Sequence, residues 1–317
     1  MFALILGAVM LVVVAISGYL ARALAFDAPE AFWRQKGELV AVAEEPAEGD
    51  ALHQAYQVTL TSSAGFSVRG HLHVPRRQGR WPALVAMGGV LTGRSTAEFI
   101  TVKEPFVVLG LDYPWDGPTR LSPLGFLVRL LKIRRAMFLT PSAVLLAVDY
   151  LQRRPEVDSS RLVLGGASFG ALLMAVAGAL DERAGTVMLA YGGGDYAALL
   201  EGNLRELPRW LRRPVGRAGA WLVRPIEPLR YIAQVSPRRL ILINGPDDDW
   251  IPHHCVKVLY EAAREPKRLI WLEPGHVSSK DPVSIERTVR AAAQALSAEL
   301  TADPPGVEQA LTEGPGG

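Results

Sequence analysis

The sequence contains a single cysteine, Cys255, among 317 residues. No disulfide bond can therefore form within the chain, and nothing in the cysteine content requires an oxidising compartment. The chain also lacks a CxxC pair and any tight cluster of cysteine and histidine, which are the usual sequence signs of a zinc site. It thus has neither a disulfide framework nor a zinc-binding motif.

A strong net charge is also missing, because 34 Lys and Arg residues nearly balance 32 Asp and Glu residues. The net charge of +2 and the pI of about 8.7 imply no strong overall attraction to nucleic acid. Hydrophobic residues make up 49% of the chain, which is enough for one large core or two modest ones. We therefore expect a globular protein with no nucleic-acid partner.

Residues 1–21 carry no charged side chain. About 20 apolar residues are what a helix needs to cross a bilayer. The basic residues that normally begin a signal peptide are missing, although residues 23–25, Ala-Leu-Ala, resemble a cleavage site. We therefore predict a single-pass membrane anchor in residues 1–25, with a cleaved signal segment and export as the alternative. The first basic residues follow the span and favour a cytoplasmic catalytic domain, but interleaved acidic residues leave the side of the membrane open.

From about residue 55 to residue 300, short apolar stretches alternate with helical patterns. Two alternating stretches around Ser-Ser-Ala-Gly predict an antiparallel pair of strands, and continuous apolar stretches predict further strands that are buried on both faces. This order predicts an α/β fold with a mostly parallel central sheet and helices on both faces. Residues 26–54 are interpreted as an Ala- and Glu-rich linker, and residues 301–317 as a disordered tail.

Three helical segments add detail to this outline. Pro141 is predicted to occupy the first turn of a helix, where proline is tolerated. Residues 124–139 predict an amphipathic helix with a basic side, and a core-facing position is favoured over one on an anionic membrane. Residues 196–238 form an insertion longer than the usual connections in such sheets, and they are interpreted as a small helical cap rich in arginine.

Ser168 lies where a predicted strand turns into a helix, within the stretch Gly-Ala-Ser-Phe-Gly. One interpretation is a tight turn in which small residues avoid clashes. The other is a nucleophile elbow, in which Gly166 and Gly170 let the helix approach the strand closely. A serine is a weak nucleophile without a base, so the remaining residues decide between the two interpretations.

Reactive side chains of an α/β sheet collect beyond the carboxyl ends of the strands. His276 directly follows a predicted strand on a Pro-Gly turn and is therefore the strongest candidate for a general base. His71 and His73 alternate on an early strand and are predicted to be surface residues. His253 and His254 are predicted to begin a helix.

An imidazole base needs a carboxylate on its other nitrogen, which fixes the tautomer and stabilises the cation. Asp247, Asp248 and Asp249 all follow one predicted strand, and Asp195 follows the strand before it. All of them are equally explained as parts of hydrophilic turns. The residues alone therefore do not select the partner of His276.

The chain resembles the α/β-hydrolase superfamily, nearest its single-domain esterases, its dienelactone-hydrolase-like enzymes and prolyl-oligopeptidase-type catalytic domains. Three stretches carry the resemblance: GASFG at residues 166–170, GPDDDWIP at residues 245–252 and PGH at residues 274–276. The match covers roughly residues 55–300, with the reactive residues in the order Ser, Asp, His. The acid loop of the family reads G-x-x-D-x-x-[VI]-P, which selects Asp248.

The resemblance implies a serine hydrolase that cleaves carboxylic esters of small molecules, without a metal or an organic cofactor. Ser168 would attack, His276 would act as base, and Asp248 would hold the imidazole. The implied oxyanion hole is formed by the backbone N–H groups of Phe169 and Val90. This chain has Ala167 where the family often has His, Glu or Tyr, and residues 88–90, Gly-Gly-Val, replace the family's His-Gly turn.

Other functions use the same residues. A peptidase, a thioesterase or an acyltransferase employs the same triad. Outside the enzymes, the alternative is a non-catalytic, membrane-tethered binding protein, since a fold does not determine a function.

Overall fold

The structure is a computed structural model, and it describes residues 18–19, 29–100, 105–118, 120–272, 275–278 and 280–301. Of the predicted anchor in residues 1–25, only Gly18 and Tyr19 belong to the described residues, and both are helical. Of the predicted tail, only Thr301 is described. No helix among the described residues is long and apolar enough to cross a bilayer.

One sheet of nine strands forms the centre of the described part of the chain. In space the strands follow the order β1-β2-β3-β5-β4-β6-β7-β8-β9. The first three strands pair antiparallel, β3 also pairs antiparallel with β5, and all pairs from β5 onward are parallel. The strands are β1 Leu39–Ala47, β2 His53–Ser62, β3 Phe66–Pro75, β4 Trp81–Met87, β5 Val107–Leu111, β6 Val157–Ala167, β7 Thr186–Ala190, β8 Arg239–Asn244 and β9 Lys267–Trp271.

Helices cover both faces of this sheet. They are α1 Pro29–Lys36, α2 Thr96–Phe99, α3 Pro123–Gln152, α4 Phe169–Leu180, α5 Tyr196–Asn203, α6 Arg209–Val223, α7 His253–Ala262 and α8 Pro282–Thr301. Short 3₁₀ turns lie at Gly93–Ser95, Arg224–Ile226, Pro228–Arg230 and Ile232–Gln234. The predicted mostly parallel sheet between two helical layers is thus confirmed.

Alternate residues of the buried strands face two separate cores. Val85 of β4 packs in the larger core with α3 and α4, whereas its neighbour Leu84 packs in a smaller core with α2 and α8. The larger core holds most of the long aliphatic side chains, and the smaller one includes Ala86 and Ala190. Ala86 and Ala190 of the smaller core also line the cavity at Ser168.

The interpretation of residues 26–54 as a linker is wrong for much of that segment. It contains α1 and the edge strand β1, which pairs with β2 along its length. Seven of the nine residues of β1 are exposed, so no alternation of buried and exposed residues marks the strand. Its position is held by backbone pairing and by Glu44, which accepts hydrogen bonds from Tyr150 (2.8 Å) and Arg154 (2.7 Å).

The predicted helix start at Pro141 is also wrong. Pro141 lies inside α3, which runs unbroken through both predicted helical segments. A proline in a helix interior removes one hydrogen bond, which normally favours a break. Here the flanking residues Thr140 and Ser142 are fully buried, and Ser142 donates to the backbone oxygen of Phe32 in α1 at 2.9 Å. Tertiary packing therefore outweighs the local preference.

Candidate active site

Ser168 occupies a strained turn between β6 and α4. The strand ends at Ala167 and the helix begins at Phe169, so a single residue makes the turn. Its backbone angles are φ 56° and ψ −123°, a region that side-chain-bearing residues rarely adopt. The turn is held from the neighbouring strand, because the Ser168 N–H donates to the Ala190 oxygen at 2.8 Å. Ser168 is therefore held at the carboxyl edge of the sheet.

The two glycines that flank this turn are required by close backbone approach. A Cβ atom on Gly166 would lie 2.6 Å from the backbone oxygen of Gly170. A Cβ atom on Gly170 would lie 2.4 Å from the Met87 oxygen and 2.7 Å from the Gly88 oxygen. The predicted reason for these glycines, close approach of the helix to the strands, is thus confirmed.

We expect Gly170→Ala to lower the free energy of unfolding by about 1–3 kcal/mol, because the added methyl group overlaps rigid backbone carbonyls. The measurement is a urea denaturation curve. Gly185→Ala is the matched control, since its added methyl group would have its nearest neighbour at 3.9 Å. Equal midpoints for the two variants would contradict the steric explanation.

Three side chains from distant parts of the sequence form a hydrogen-bonded chain. The Ser168 Oγ atom lies 2.8 Å from His276 Nε2, and His276 Nδ1 lies 2.7 Å from Asp248 Oδ2. The second carboxylate oxygen, Asp248 Oδ1, accepts the backbone N–H groups of Trp250 at 2.7 Å and Ile251 at 2.9 Å. This arrangement orients the imidazole toward the serine hydroxyl, as a general base requires.

Asp248 differs from the other candidate carboxylates in the burial of its side chain. The side chain of Asp248 is fully buried, whereas Asp247 is exposed and the side chain of Asp249 is 83% exposed. Asp195 caps α5, where its side chain accepts the backbone N–H of Ala198 at 3.2 Å. Among the four candidates, the structure therefore brings only Asp248 to His276.

Aromatic rings enclose the imidazole of His276. The ring of Tyr191 lies edge-on to it with centroids 5.3 Å apart, and the ring of Trp250 lies 6.5 Å away. The Tyr191 hydroxyl lies 3.2 Å from Thr288 Oγ1 in α8, and burial raises the pKa of this hydroxyl. Sequence reasoning assigned neither residue a role, although Tyr191 directly follows β7 and Trp250 lies within the acid loop at residues 245–252.

The two predicted oxyanion donors, Phe169 and Val90, line the same cavity as Ser168. Neither backbone N–H has an acceptor among the described residues. The loop that carries Val90 is held by Tyr113, whose hydroxyl donates to the Gly88 oxygen. Burial raises the pKa of Tyr113, so the hydroxyl stays protonated and able to donate. Sequence reasoning missed Tyr113; its signal is a polar aromatic residue shortly after β5.

The other described histidines do not line the cavity at Ser168. His71, predicted to be a surface residue, is instead buried, and its Nδ1 atom lies 3.2 Å from Glu98 Oε1. His73 is half-buried beside it. His253 and His254 begin α7, as predicted. Within the described residues, no group of His, Cys, Asp and Glu side chains has the arrangement of a metal site.

The single thiol is not available for chemistry. Cys255 is fully buried in α7, and burial, with nearby Asp195 and Glu227, raises its pKa to about 12. A thiol is nucleophilic only as the thiolate. Cys255 is therefore a packing residue.

The predicted insertion at residues 196–238 is helical. Leu199 and Asn203 of α5 line the cavity at Ser168, and Asn203 donates to the Trp250 oxygen at 2.8 Å. The α6 helix packs on α5. The insertion thus contributes one wall of the site and contacts the loop that carries Asp248.

No family model matches the chain. Two curated relatives both bear the name uncharacterized protein YfhR. The relative from Escherichia coli O157:H7 is 33% identical over 130 residues, and the one from Salmonella typhi is 30% identical over 131 residues. Each match covers 41% of this chain and, respectively, 42% and 44% of the relative. The chain thus spans less than half the length of these relatives.

Solved structures match over most of the chain. Acetyl xylan esterase 1 from Thermoanaerobacterium sp. JW/SL YS485 has a TM-score of 0.65 at 17% identity, covering 86% of this chain and 94% of that one. Acetyl xylan esterase from Paenibacillus sp. R4 has a TM-score of 0.60 at 17% identity, covering 85% and 93%. The α/β hydrolase GrgF from Penicillium sp. sh18 has a TM-score of 0.55 at 18% identity, covering 77% and 98%. At these identities the similarity establishes a shared fold.

Proposed function

We propose that this chain, whose fold is that of the α/β-hydrolases, is a serine hydrolase that cleaves carboxylic esters. The observation that carries the proposal is the hydrogen-bonded chain from Ser168 through His276 to Asp248, with distances of 2.8 Å and 2.7 Å. The esterase names of several structural neighbours support this reaction class. The strained position of Ser168 adds support, because strain of this kind clusters at active sites.

In the first half of the proposed reaction, His276 Nε2 takes the proton of Ser168 as its oxygen attacks the ester carbonyl carbon. The negative charge that develops on the carbonyl oxygen is stabilised by the backbone N–H groups of Phe169 and Val90. The bond between the carbonyl carbon and the alcohol oxygen then breaks. The alcohol leaves with the proton from His276, and an acyl ester on Ser168 remains.

In the second half, His276 takes a proton from a water molecule as the water oxygen attacks the acyl carbon. The bond to Ser168 breaks, Ser168 regains a proton from His276, and the carboxylic acid leaves. Asp248 stabilises the imidazolium in both halves and keeps its Nδ1 proton directed away from the serine. Each residue is thus restored at the end of the cycle.

The test of this proposal is covalent labelling of the purified full chain with a small fluorophosphonate, combined with hydrolysis of p-nitrophenyl acetate and butyrate. We expect one label on each chain, located at Ser168 by peptide mapping, and loss of hydrolysis in proportion to labelling. Hydrolysis that persists in fully labelled protein would contradict the serine mechanism. If the chain were neither labelled nor able to hydrolyse the esters, that result would favour the non-catalytic alternative.

We also propose that the N-terminal segment attaches the protein to a membrane. The Tyr19 ring lies 5.4 Å from the guanidinium of Arg134, so the described end of this segment lies against α3. The beginning of α3 exposes large apolar side chains: Leu124, Phe126, Val128 and Leu131. The core-facing position favoured for residues 124–139 is therefore wrong for the beginning of that segment, and apolar surface lies on the helix that Tyr19 contacts.

We expect the full chain to sediment with membranes after expression in bacteria and to remain there after an alkaline carbonate wash. An apolar segment of about 20 residues makes insertion effectively irreversible, unlike electrostatic attachment to a surface. N-terminal sequencing of the membrane fraction distinguishes an uncleaved anchor in residues 1–25 from a cleaved signal segment. Release by carbonate, or a mature N-terminus near residue 26, would contradict the anchor.

A further inference from the structure

A large apolar cavity opens at Ser168 and continues along one face of the sheet. Its volume is about 610 Å³, within the roughly 300–1,000 Å³ of small-molecule sites. Residues of the four strands β4, β5, β6 and β7 form its floor, and α2 and α8 form its walls. Its opening is bordered by exposed apolar side chains: Val90, Leu91, Phe99 and Trp250.

Small side chains on this face create the space. Ala86 of β4, Gly165 of β6 and Ala190 of β7 all line the cavity, where larger residues would fill it. The covering helix α2 has only four residues, and α8 presents Ala292 and Ala293 to the same space. Among the described residues, the sheet face between these two helices is therefore left partly uncovered.

The cavity reaches well below the edge of the sheet. Leu84 and Val108 line it, and each lies three residues before the end of its strand. At about 3.3 Å for each strand residue, this position is about 10 Å below the carboxyl edge. Val108 and Leu296, which also line the cavity, are both buried. The deepest lining side chains are therefore shielded from solvent.

The lining is suited to an apolar chain rather than a polar group. None of its described residues is Asp, Glu, Lys or Arg. The threonine hydroxyl groups in the lining already have partners: Thr92 donates to Gly89 at 2.9 Å, Thr96 to Gly93 at 2.7 Å and Thr288 to Ser284 at 2.7 Å. A sugar would bury its own hydroxyl groups there without compensation, at a cost in free energy.

We propose that this cavity holds the acyl chain of a medium- or long-chain ester, an inference that rests on the proposed serine hydrolase function. The acyl group stays bonded to Ser168 until water releases it, whereas the alcohol must leave first. A cavity whose deepest lining side chains are buried suits the part of the substrate that stays. The substrate class is thus a lipophilic acyl ester.

The first test compares p-nitrophenyl esters of acetate, butyrate, octanoate, laurate and palmitate with the full chain. Each buried methylene is worth up to about fourfold in kcat/KM, so octanoate should exceed acetate by at least about tenfold. A parallel series of alkyl acetates varies the alcohol. A preference for acetate among the acyl groups, or a length preference seen only in the alcohol series, overturns the proposal.

The second test uses one variant that reduces the volume of the cavity and one that enlarges it. Ala292→Phe places a ring in it and should shift the preferred acyl length toward acetate, whereas Leu296→Ala enlarges it and should shift the preference toward palmitate. Ala291→Phe is the matched control, because Ala291 is a neighbour on the same helix and is outside the described lining. Equal chain-length profiles for all three variants overturn the proposal.

A binding measurement separates this inference from the proposed function. In Ser168→Ala, which lacks the nucleophile, laurate should bind in isothermal titration calorimetry and acetate should not. Adding Ala292→Phe should weaken laurate binding by at least about tenfold. This result supports an acyl site even if no ester is cleaved. Absent laurate binding, or binding unaffected by Ala292→Phe, overturns the site even if short esters are cleaved.

Discussion

Ser168→Ala should reduce kcat/KM for p-nitrophenyl butyrate by roughly 10⁴-fold or more, down to the rate that binding and backbone donors alone support. The Ser168 oxygen is the only protein atom that bonds to the acyl carbon in the proposed reaction. The measurement is steady-state hydrolysis by wild type and variant at equal concentration. Labelling by a fluorophosphonate should be lost in parallel.

The folded state of this variant needs its own control. Ser168 is held by its backbone N–H, which donates to Ala190 and does not depend on the side chain. The variant should therefore unfold at the same urea concentration as wild type. A stable, folded Ser168→Ala that retained more than about a tenth of wild-type kcat/KM would exclude Ser168 as the nucleophile.

Asp248→Asn should lower kcat by about 10⁴-fold through the tautomer of His276. Trp250 and Ile251 both donate to Oδ1, so an asparagine would turn its carbonyl oxygen toward these two N–H groups. Its amide group would then face His276 Nδ1 as a donor. The imidazole would carry its proton on Nε2, where it cannot accept the proton of Ser168.

Asp249→Asn is the matched control for this prediction, because its side chain is 83% exposed and adjacent in sequence. We expect its kcat to equal that of wild type. A second readout distinguishes a tautomer effect from a folding defect, since KM should change little in Asp248→Asn while kcat falls. Equal losses of kcat in the two variants would contradict the assigned role of Asp248.

Where the structure departed from the sequence predictions, packing between distant segments was the cause. The continuous helix α3 contains Pro141 because the residues on either side of it are buried against α1 and the sheet. His71 is buried because Glu98, from a separate segment, covers it. The exposed residues of β1 show no alternation, and only pairing with β2 makes them a strand. No local pattern carries information of this kind.

At the candidate active site, local sequence patterns were likewise insufficient to select one carboxylate as the partner of His276. Physical reasoning from the residues left four aspartates open, and a family resemblance favoured Asp248. In the structure, burial and the N–H groups of Trp250 and Ile251 distinguish Asp248 from its neighbours. The roles of Ser168, His276 and Asp248 in catalysis stay predictions until the variants are measured.

The sequence by itself determined the alternation of strands and helices between about residues 55 and 300, the sharp turn at Ser168 with its two glycines, and the position of His276 after a strand. These features are local, because each depends on hydrophobic periodicity or on the space that a glycine leaves. Only the tertiary structure decided the apolar cavity beside Ser168. Its small residues come from three strands and α8, and the space they leave exists only because the short helix α2 does not cover it.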